Sequence, residues 1–185
     1  MTDEPRVFIR SPASSDRHEF TALMRASSDF HSPWATAPTD DERYDAYLAD
    51  ARRPDFEGML LCRRSDGAIL GFFNLSQIVR RRLQSAFLGY AAGEPYAGQG
   101  YMREGLALVV RHSFTALRLH RIEANIQPGN ASSLALARGA GFRREGFSPR
   151  YLKIGGRWRD HERWAILVED WRDRTGDPAL PDGPF

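Results

Sequence analysis

Cysteine is nearly absent: Cys62 is the only one in 185 residues, which excludes an internal disulfide framework and fits a reducing compartment. With a single thiol, and with His18, His31, His112, His120 and His161 at no close ligand spacing, no metal site is predicted. Long apolar runs are missing as well. The longest one with helical character, Leu106 to Val110, is far shorter than the roughly twenty residues a bilayer requires. Met1-Thr2-Asp3-Glu4-Pro5 lacks the basic-then-apolar pattern of a secretory signal, so a soluble cytoplasmic protein with no membrane partner is expected. An excess of one charge is also lacking. The 26 Lys and Arg nearly balance the 24 Asp and Glu, and a net charge of +2 does not imply bulk nucleic-acid binding. Arg80-Arg81-Arg82 reads as a solvated hairpin tip, and Trp158, Trp164 and Trp171 as strand-core tryptophans with arginines stacked outside them. No Gly-x-Ser-x-Gly elbow occurs, which speaks against a serine hydrolase.

What the chain does have is a strand, a glycine loop and a helix in immediate succession. Ala86-Phe87-Leu88-Gly89-Tyr90 reads as a strand, Gly98 and Gly100 follow it, and Met102, Leu106, Val109, Ser113 and Leu117 then repeat at helical spacing. The first turn of such a helix has unpaired backbone N–H groups and the positive end of the helix dipole, so Gln99 to Met102 are predicted to form an anion site suited to a pyrophosphate. Glycines at 98 and 100 let the backbone turn and approach a ligand closely. Two other phosphate motifs fail at this loop. Gly98-Gln99-Gly100-Tyr101-Met102-Arg103 lacks the third glycine of the dinucleotide fingerprint, and no Gly-Lys-Ser/Thr follows as a P-loop would need.

The rest of the chain supplies one domain. With 42% hydrophobic residues it can bury a core, and the domain is expected over 6–172 with a loosely ordered, proline-containing tail over 173–185. Arg6 to Arg10 reads as a first strand. Asp16 with Glu19, and Thr39 with Glu42, are capping-box signatures for two helices, the second carrying Tyr44, Tyr47 and Leu48 on one face. Phe30 to Ala35 breaks the first helix, and the two helices together are expected to cover a substrate groove. Gly58–Arg64 and Ala68–Val79 flank a Ser65-Asp66-Gly67 turn. Arg121 to Ile126 alternates at period two and places Glu123 and Asn125 on one face. Asn130 caps a short helix that Gly141 ends; Gly155-Gly156 is a second hairpin turn, and Trp164 to Val168 a last strand. The order β-α-α-β-β-β-α-β-α-β-β is that of a mixed α/β domain.

These stretches, taken in order, resemble the GNAT superfamily of acetyl-CoA-dependent N-acetyltransferases, and within it the ribosomal-protein N-terminal acetyltransferases of the RimJ/RimL type. The resemblance rests on Gly98-Gln99-Gly100-Tyr101-Met102 opening a helix, on Asn130-Ala131-Ser132-Ser133 through Gly141-Phe142, and on Tyr151 to Asp160 leading into a last strand. It implies a mixed, mostly antiparallel twisted sheet of about six to seven strands, with about four flanking helices and a splayed central strand pair. The family's pyrophosphate loop falls on Ala97, Gly98, Gln99, Gly100, Tyr101 and Met102. Leu88, Gly89 and Tyr90 match the splayed strand whose backbone pairs with the pantetheine amides. Asn130 and Ser133 match polar positions that face the pantetheine arm, although a helix cap and a hydrogen bond within the same turn would account for both without a cofactor. The implied cofactor is acetyl-CoA, with coenzyme A as product and no metal. The implied acceptor is a primary amine, such as a ribosomal or other protein N-terminus, with no direct nucleic-acid contact, in a monomer or a homodimer.

The catalytic groups depart from the family pattern. Many members carry a tyrosine where this chain has Ala137, so the departing thiolate must find another donor or none; Ser133 and Tyr151 are the candidates. A thiol of reference pKa about 8.5 tolerates leaving as thiolate near neutrality, so a strong acid is unnecessary. The family's strand glutamate aligns with Asn125, while Glu123 lies two residues away on the same face. Glu123 is either a base, directly or through water, or an ion-pair partner of Arg121 or Arg143. A small amine such as a polyamine or aminoglycoside, and a non-catalytic acyl-CoA-binding module, stand as alternatives.

Overall fold

The computed structural model describes residues 5–176. Its centre is a seven-stranded sheet in the order β1-β2-β3-β4-β5-β7-β6. The strands are β1 (Val7–Arg10), β2 (Phe56–Arg63), β3 (Ile69–Val79), β4 (Ser85–Ala92), β5 (Arg121–Ile126), β6 (Arg143–Ile154) and β7 (Arg157–Leu167). Every neighbouring pair is antiparallel except β4 with β5. The helices are α1 (Arg17–Ala26), α2 (Ser28–His31), α3 (Asp41–Asp50), α4 (Tyr101–Thr115), α5 (Ala131–Ala140) and α6 (Val168–Thr175). Two of these were not distinct in the sequence pattern. The short α2 runs into the start of the Phe30–Ala35 segment read as a break, and α6 starts at Val168, the residue on which the last strand was expected to end. The tail expected over 173–185 begins inside α6, and its remainder from 177 on lies outside the described residues.

The central strands read as near-continuous apolar runs because both faces of the sheet are covered. Met59 and Leu61 of β2, Phe73 and Leu75 of β3, and Ala86 and Leu88 of β4 pack with Leu106, Val109, Val110 and Phe114 of α4. Their alternates Leu60, Cys62, Phe72 and Ala91 meet Phe20 and Met24 of α1 and Tyr44, Tyr47 and Leu48 of α3 on the opposite face. Burial pushes the Cys62 thiol up, which leaves it inert in that second core.

Helices α1 and α3 begin differently from the capping-box expectation. Asp16 ends a short 3₁₀ turn, Ser14–Asp16, and its carboxylate accepts from the Ala13 amide at 2.8 Å and from Arg10 at 2.7 Å. The Arg10 guanidinium holds that carboxyl below the usual range. Glu19 reaches across to accept from the Ile69 amide at 2.7 Å and so ties α1 to the sheet. For α3 the cap is Asp40, one residue past Thr39, accepting from the Arg43 amide at 2.9 Å. Local signals located both helices, but tertiary partners claimed the side chains at the first.

Candidate active site

Strand β4 follows β5 in parallel only from Ser85↔Arg121 to Leu88↔Ala124. Beyond that point Gly89 to Ala92 stay paired with β3 alone, while Asn125 and Ile126 follow β7. The sheet therefore opens in its middle. A cleft of about 670 Å³ runs from this fork to the start of α4. One side is formed by Tyr90, Ala91 and Ala92 together with the Ala97–Gly100 loop, Met102 and Arg103. Asn130, Ser132, Ser133 and Leu136 of α5 face them, and Phe30, His31 and Trp34 close one end.

The loop has the geometry an anion needs. Gly98 and Gly100 take φ of +73° and +84°, where a side chain is strained, and the space beside Gly98 is open. Gly100 caps α4, and the Arg103 and Glu104 amides bond to its carbonyl at 3.1 and 3.2 Å. Amides ahead of these have no acceptor within the helix and carry the positive end of its dipole. The loop is braced from below. Arg6 donates to the Gln99 carbonyl at 2.9 Å, pairs with Glu104 through Nε at 2.7 Å, and lies over the Tyr101 ring at 4.6 Å. Because the peptide is trans, a Gln99 carbonyl aimed at Arg6 turns the Gly100 N–H the opposite way. The Gln99 side chain donates to the Pro95 carbonyl at 2.8 Å and closes the turn.

Of the residues read as cofactor contacts, Tyr90, Ala97, Gly98, Gln99, Gly100, Met102, Asn130 and Ser133 line the cleft. Leu88 sits buried at the fork, Gly89 lies exposed just beyond it, and Tyr101 is turned toward Arg6. The backbone of Leu88 and Gly89 is nevertheless where β4 loses its β5 partner, so the fork itself begins there. Asn130 caps α5, accepting from the Ser133 amide at 3.1 Å. Burial pushes the Tyr90 phenol up, and it donates toward the Ser133 carbonyl at 3.5 Å.

The three residues read as catalytic are dispersed. Glu123 accepts from Arg121 at 2.8 Å, and Arg121 also holds Glu145; Glu123 lines neither the cleft nor the cavity that adjoins it. Asn125 stands one position past the end of the parallel pairing, and its Oδ1 is shielded without a hydrogen-bond partner. Ser133 alone of the three faces the cleft. Ala137 is buried in the core and Tyr151 packs its ring against His161, so neither places a phenol in the cleft. Ser133→Ala is therefore expected to lower the rate at most about tenfold, as one hydrogen bond of about 1 kcal/mol allows, with any loss of coenzyme A affinity no larger than that. A loss beyond a thousandfold in single-turnover thiol release would make Ser133 a general acid.

Sequence reasoning missed the far wall. Phe30 to Ala35, read as a break, instead brings His31 and Trp34 to the site. His31 Nε2 donates to the Ala92 carbonyl at 2.7 Å, which sets its tautomer if the ring is neutral. Gln127 donates to the Pro33 and Trp34 carbonyls at 3.1 Å each and pins this segment to the end of β5. A second cavity of about 360 Å³ lies on the other side of His31 and Ala35, which line both spaces. Arg6 and Arg103 were also missed, although a cation in the first turn after a glycine loop was there to be read.

A parallel fork beside a helix-capped glycine loop, with an adjoining second cavity, defines an acyl-CoA-dependent transferase. The residues fit that cofactor: an open glycine cradle, a helix N-terminus and Arg103 for its phosphates, and an unpaired strand for its amide-bearing arm. The Acetyltransferase (GNAT) domain family matches residues 6–143. The probable N-acetyltransferase YjcK of Bacillus subtilis (strain 168) is 33% identical over 172 residues, covering 89% of this chain and 95% of that protein. The ribosomal protein uS5-alanine N-acetyltransferase of Escherichia coli (strain K12) is 39% identical over 103 residues, 56% of this chain and 53% of its own length. Among solved structures, Mycobacterium smegmatis RimJ in complex with CoA-disulfide aligns with a TM-score of 0.82 and 29% identity over 94% of this chain and 85% of that one. The chain belongs to the GNAT acetyltransferase family and is an acetyl-CoA-dependent N-acetyltransferase. Among the described residues no helix is long and apolar enough to cross a membrane, and no cluster of three or more His, Cys, Asp or Glu is placed to hold a metal.

Proposed function

We propose that the chain, acting in the cytoplasm, acetylates the free α-amino group of a protein or peptide N-terminus. The observation that carries this is that, among the described residues, no free carboxylate stands at the junction of the two cavities: Glu123 is held by Arg121, and Ser133 is the one catalytic candidate facing the cleft. Such a site suits an amine that needs little help to lose its proton. An α-amine of reference pKa about 7.7–8.0 is roughly a tenth to a sixth neutral at pH 7, whereas lysine at about 10.4 is neutral in well under one molecule per thousand. That difference of more than two units is worth about 3 kcal/mol to a site without a strong base.

Acetyl-CoA supplies an acetyl thioester, and the chain's own residues supply orientation. The first-turn amides of α4 hold the pyrophosphate end, the open side of Gly89–Ala92 holds the arm, and the wall built by His31 and Trp34 sets the direction from which the amine arrives. With the neutral amine attacking the thioester carbonyl as the C–S bond breaks, and the amine's proton passing to the departing thiolate or to solvent, positioning supplies most of the acceleration. Similarity to the uS5-alanine enzyme supports the same acceptor. Two peptides of one sequence test it, one with a blocked N-terminus and a free lysine, the other with a free N-terminus and no lysine. The second is expected to be acetylated, and preferential acetylation of the first would sink the proposal.

A further inference from the structure

Resting on that acceptor, the geometry points to a charge preference: we infer that the enzyme selects N-termini with an acidic side chain within the first few residues, read by Arg159 and Arg43 in the second cavity. This cavity is where an acceptor must lie, because it meets the cofactor cleft at His31 and Ala35. Its walls come from three separate elements: Met24 and Ser28 at the α1–α2 junction, the segment from Ser32 to Thr39, and the β6–β7 hairpin at Ile154 and Gly155. Among the described residues two cations line it, Arg43 from α3 and Arg159 from β7, and no aspartate or glutamate does.

The two arginines differ in how free they are. Arg43 is partly answered by its own helix, with Asp40 at 3.5 Å and the Thr39 hydroxyl at 3.4 Å, both on an exposed surface. Among the described residues Arg159 has no carboxylate partner, and its Nε is shielded from solvent without any hydrogen bond. A half-buried guanidinium with an unmet donor favours a carboxylate, which its planar fork accepts in two-point fashion. A polyamine or aminoglycoside would bring several positive charges into the same carboxylate-free space, an arrangement that rejects them by repulsion. An extended peptide advances about 3.3–3.6 Å per residue, so with the α-amine at the His31 junction its second to fourth residues lie roughly 3–11 Å further in.

The test uses thiol-release kinetics on one lysine-free peptide carrying Glu, Gln or Arg at positions two to four, with spermidine alongside. The expected order of kcat/KM is Glu, then Gln, then Arg, with about tenfold between neighbours for a half-buried charge pair. In Arg159→Gln the Glu-to-Gln ratio is expected to fall toward one through a rise in KM for the Glu peptide, while coenzyme A affinity by thermal shift stays as it was. Arg43→Gln is expected to shift the ratio less. If Arg159→Gln does not fold, the wild-type ratio must still shrink as salt is raised. Equal rates on the three peptides, a ratio untouched by both substitutions, or a ratio indifferent to salt would overturn the charge preference and leave α-amine acetylation standing. Turnover of spermidine with none of the peptides would overturn both.

Discussion

Gly100→Asp is expected to weaken coenzyme A binding about a hundredfold or more, roughly 2.7 kcal/mol, while costing the fold about 1–2 kcal/mol. Three effects add. Gly100 sits at φ +84°, where a side chain is strained, although aspartate bears this better than most. An added Cβ comes within 3.2 Å of Arg6 Nη2. The new carboxylate would draw Arg6 from the Gln99 carbonyl and Glu104, disturbing the brace under the loop. Above all, a negative charge would stand where backbone amides await a pyrophosphate, so affinity falls further than stability. A thermal-shift titration separates the two: the melting temperature without ligand reports the fold, and the concentration dependence reports affinity. An unchanged affinity would mean that the phosphates bind elsewhere.

The second large effect is on packing. Gly105 lies in α4 with ordinary helical backbone, so helix propensity alone favours replacing it, by about 1 kcal/mol for alanine. Space decides otherwise. A Cβ there would meet Leu61 Cδ1 at 2.6 Å and Phe73 Cε2 at 2.9 Å, and both side chains are fully buried under the helix. Leu61 has a rotatable end that can yield to one methyl group, but the Phe73 ring is held against Tyr90 at 5.7 Å. Gly105→Val, with two further methyls, must push α4 off the sheet. Overpacking of this kind costs about 1–3 kcal/mol and occasionally more, so Gly105→Val is expected to lower the melting temperature by roughly 5–10 °C in a domain of this size. The helix that moves also carries the phosphate loop, so coenzyme A affinity falls with it. A melting temperature within a degree of wild type would show that the close approach of α4 is not required.

Much of this was legible in the chain, and the rest was not for definite reasons. The glycine loop and α4 were plain because one segment of chain supplies the turn, the cap and the apolar stripe. Alternation on Arg121 to Ile126 correctly separated Ile122, Ala124 and Ile126, which are buried, from Glu123 and Asn125 on the other face. The partner of Glu123 was left open between two arginines, and spacing could not choose between them; the structure chooses Arg121. The far wall of the cleft was hidden for a different reason. His31 and Trp34 act through contacts to Ala92, Gln127 and Gly129, about sixty to ninety-five positions away, and no local pattern encodes a contact made at that range. Arg159 was taken for one of several arginines flanking tryptophans, and only the β6–β7 hairpin brings it opposite Arg43.

The fork between β4 and β5 has a consequence for how the protein survives in a cell. A strand that loses its partner halfway is an edge in the interior of a sheet, and edges recruit any extended chain that can pair with them. Ordinarily such an edge is blunted with charge or proline, but Gly89-Tyr90-Ala91-Ala92 carries neither. A cofactor arm lying along β4 would fill the place of the absent strand and so cap a surface that otherwise invites association. By mass action, a ligand present at a hundred times its dissociation constant adds about 2.7 kcal/mol to the folded state. That is a large part of the margin by which a domain of this kind stays folded. Supply of coenzyme A is thereby expected to bear on the quantity of enzyme that persists as well as on its rate, with faster loss of the protein under cofactor shortage as the outcome a pulse-chase measurement would check.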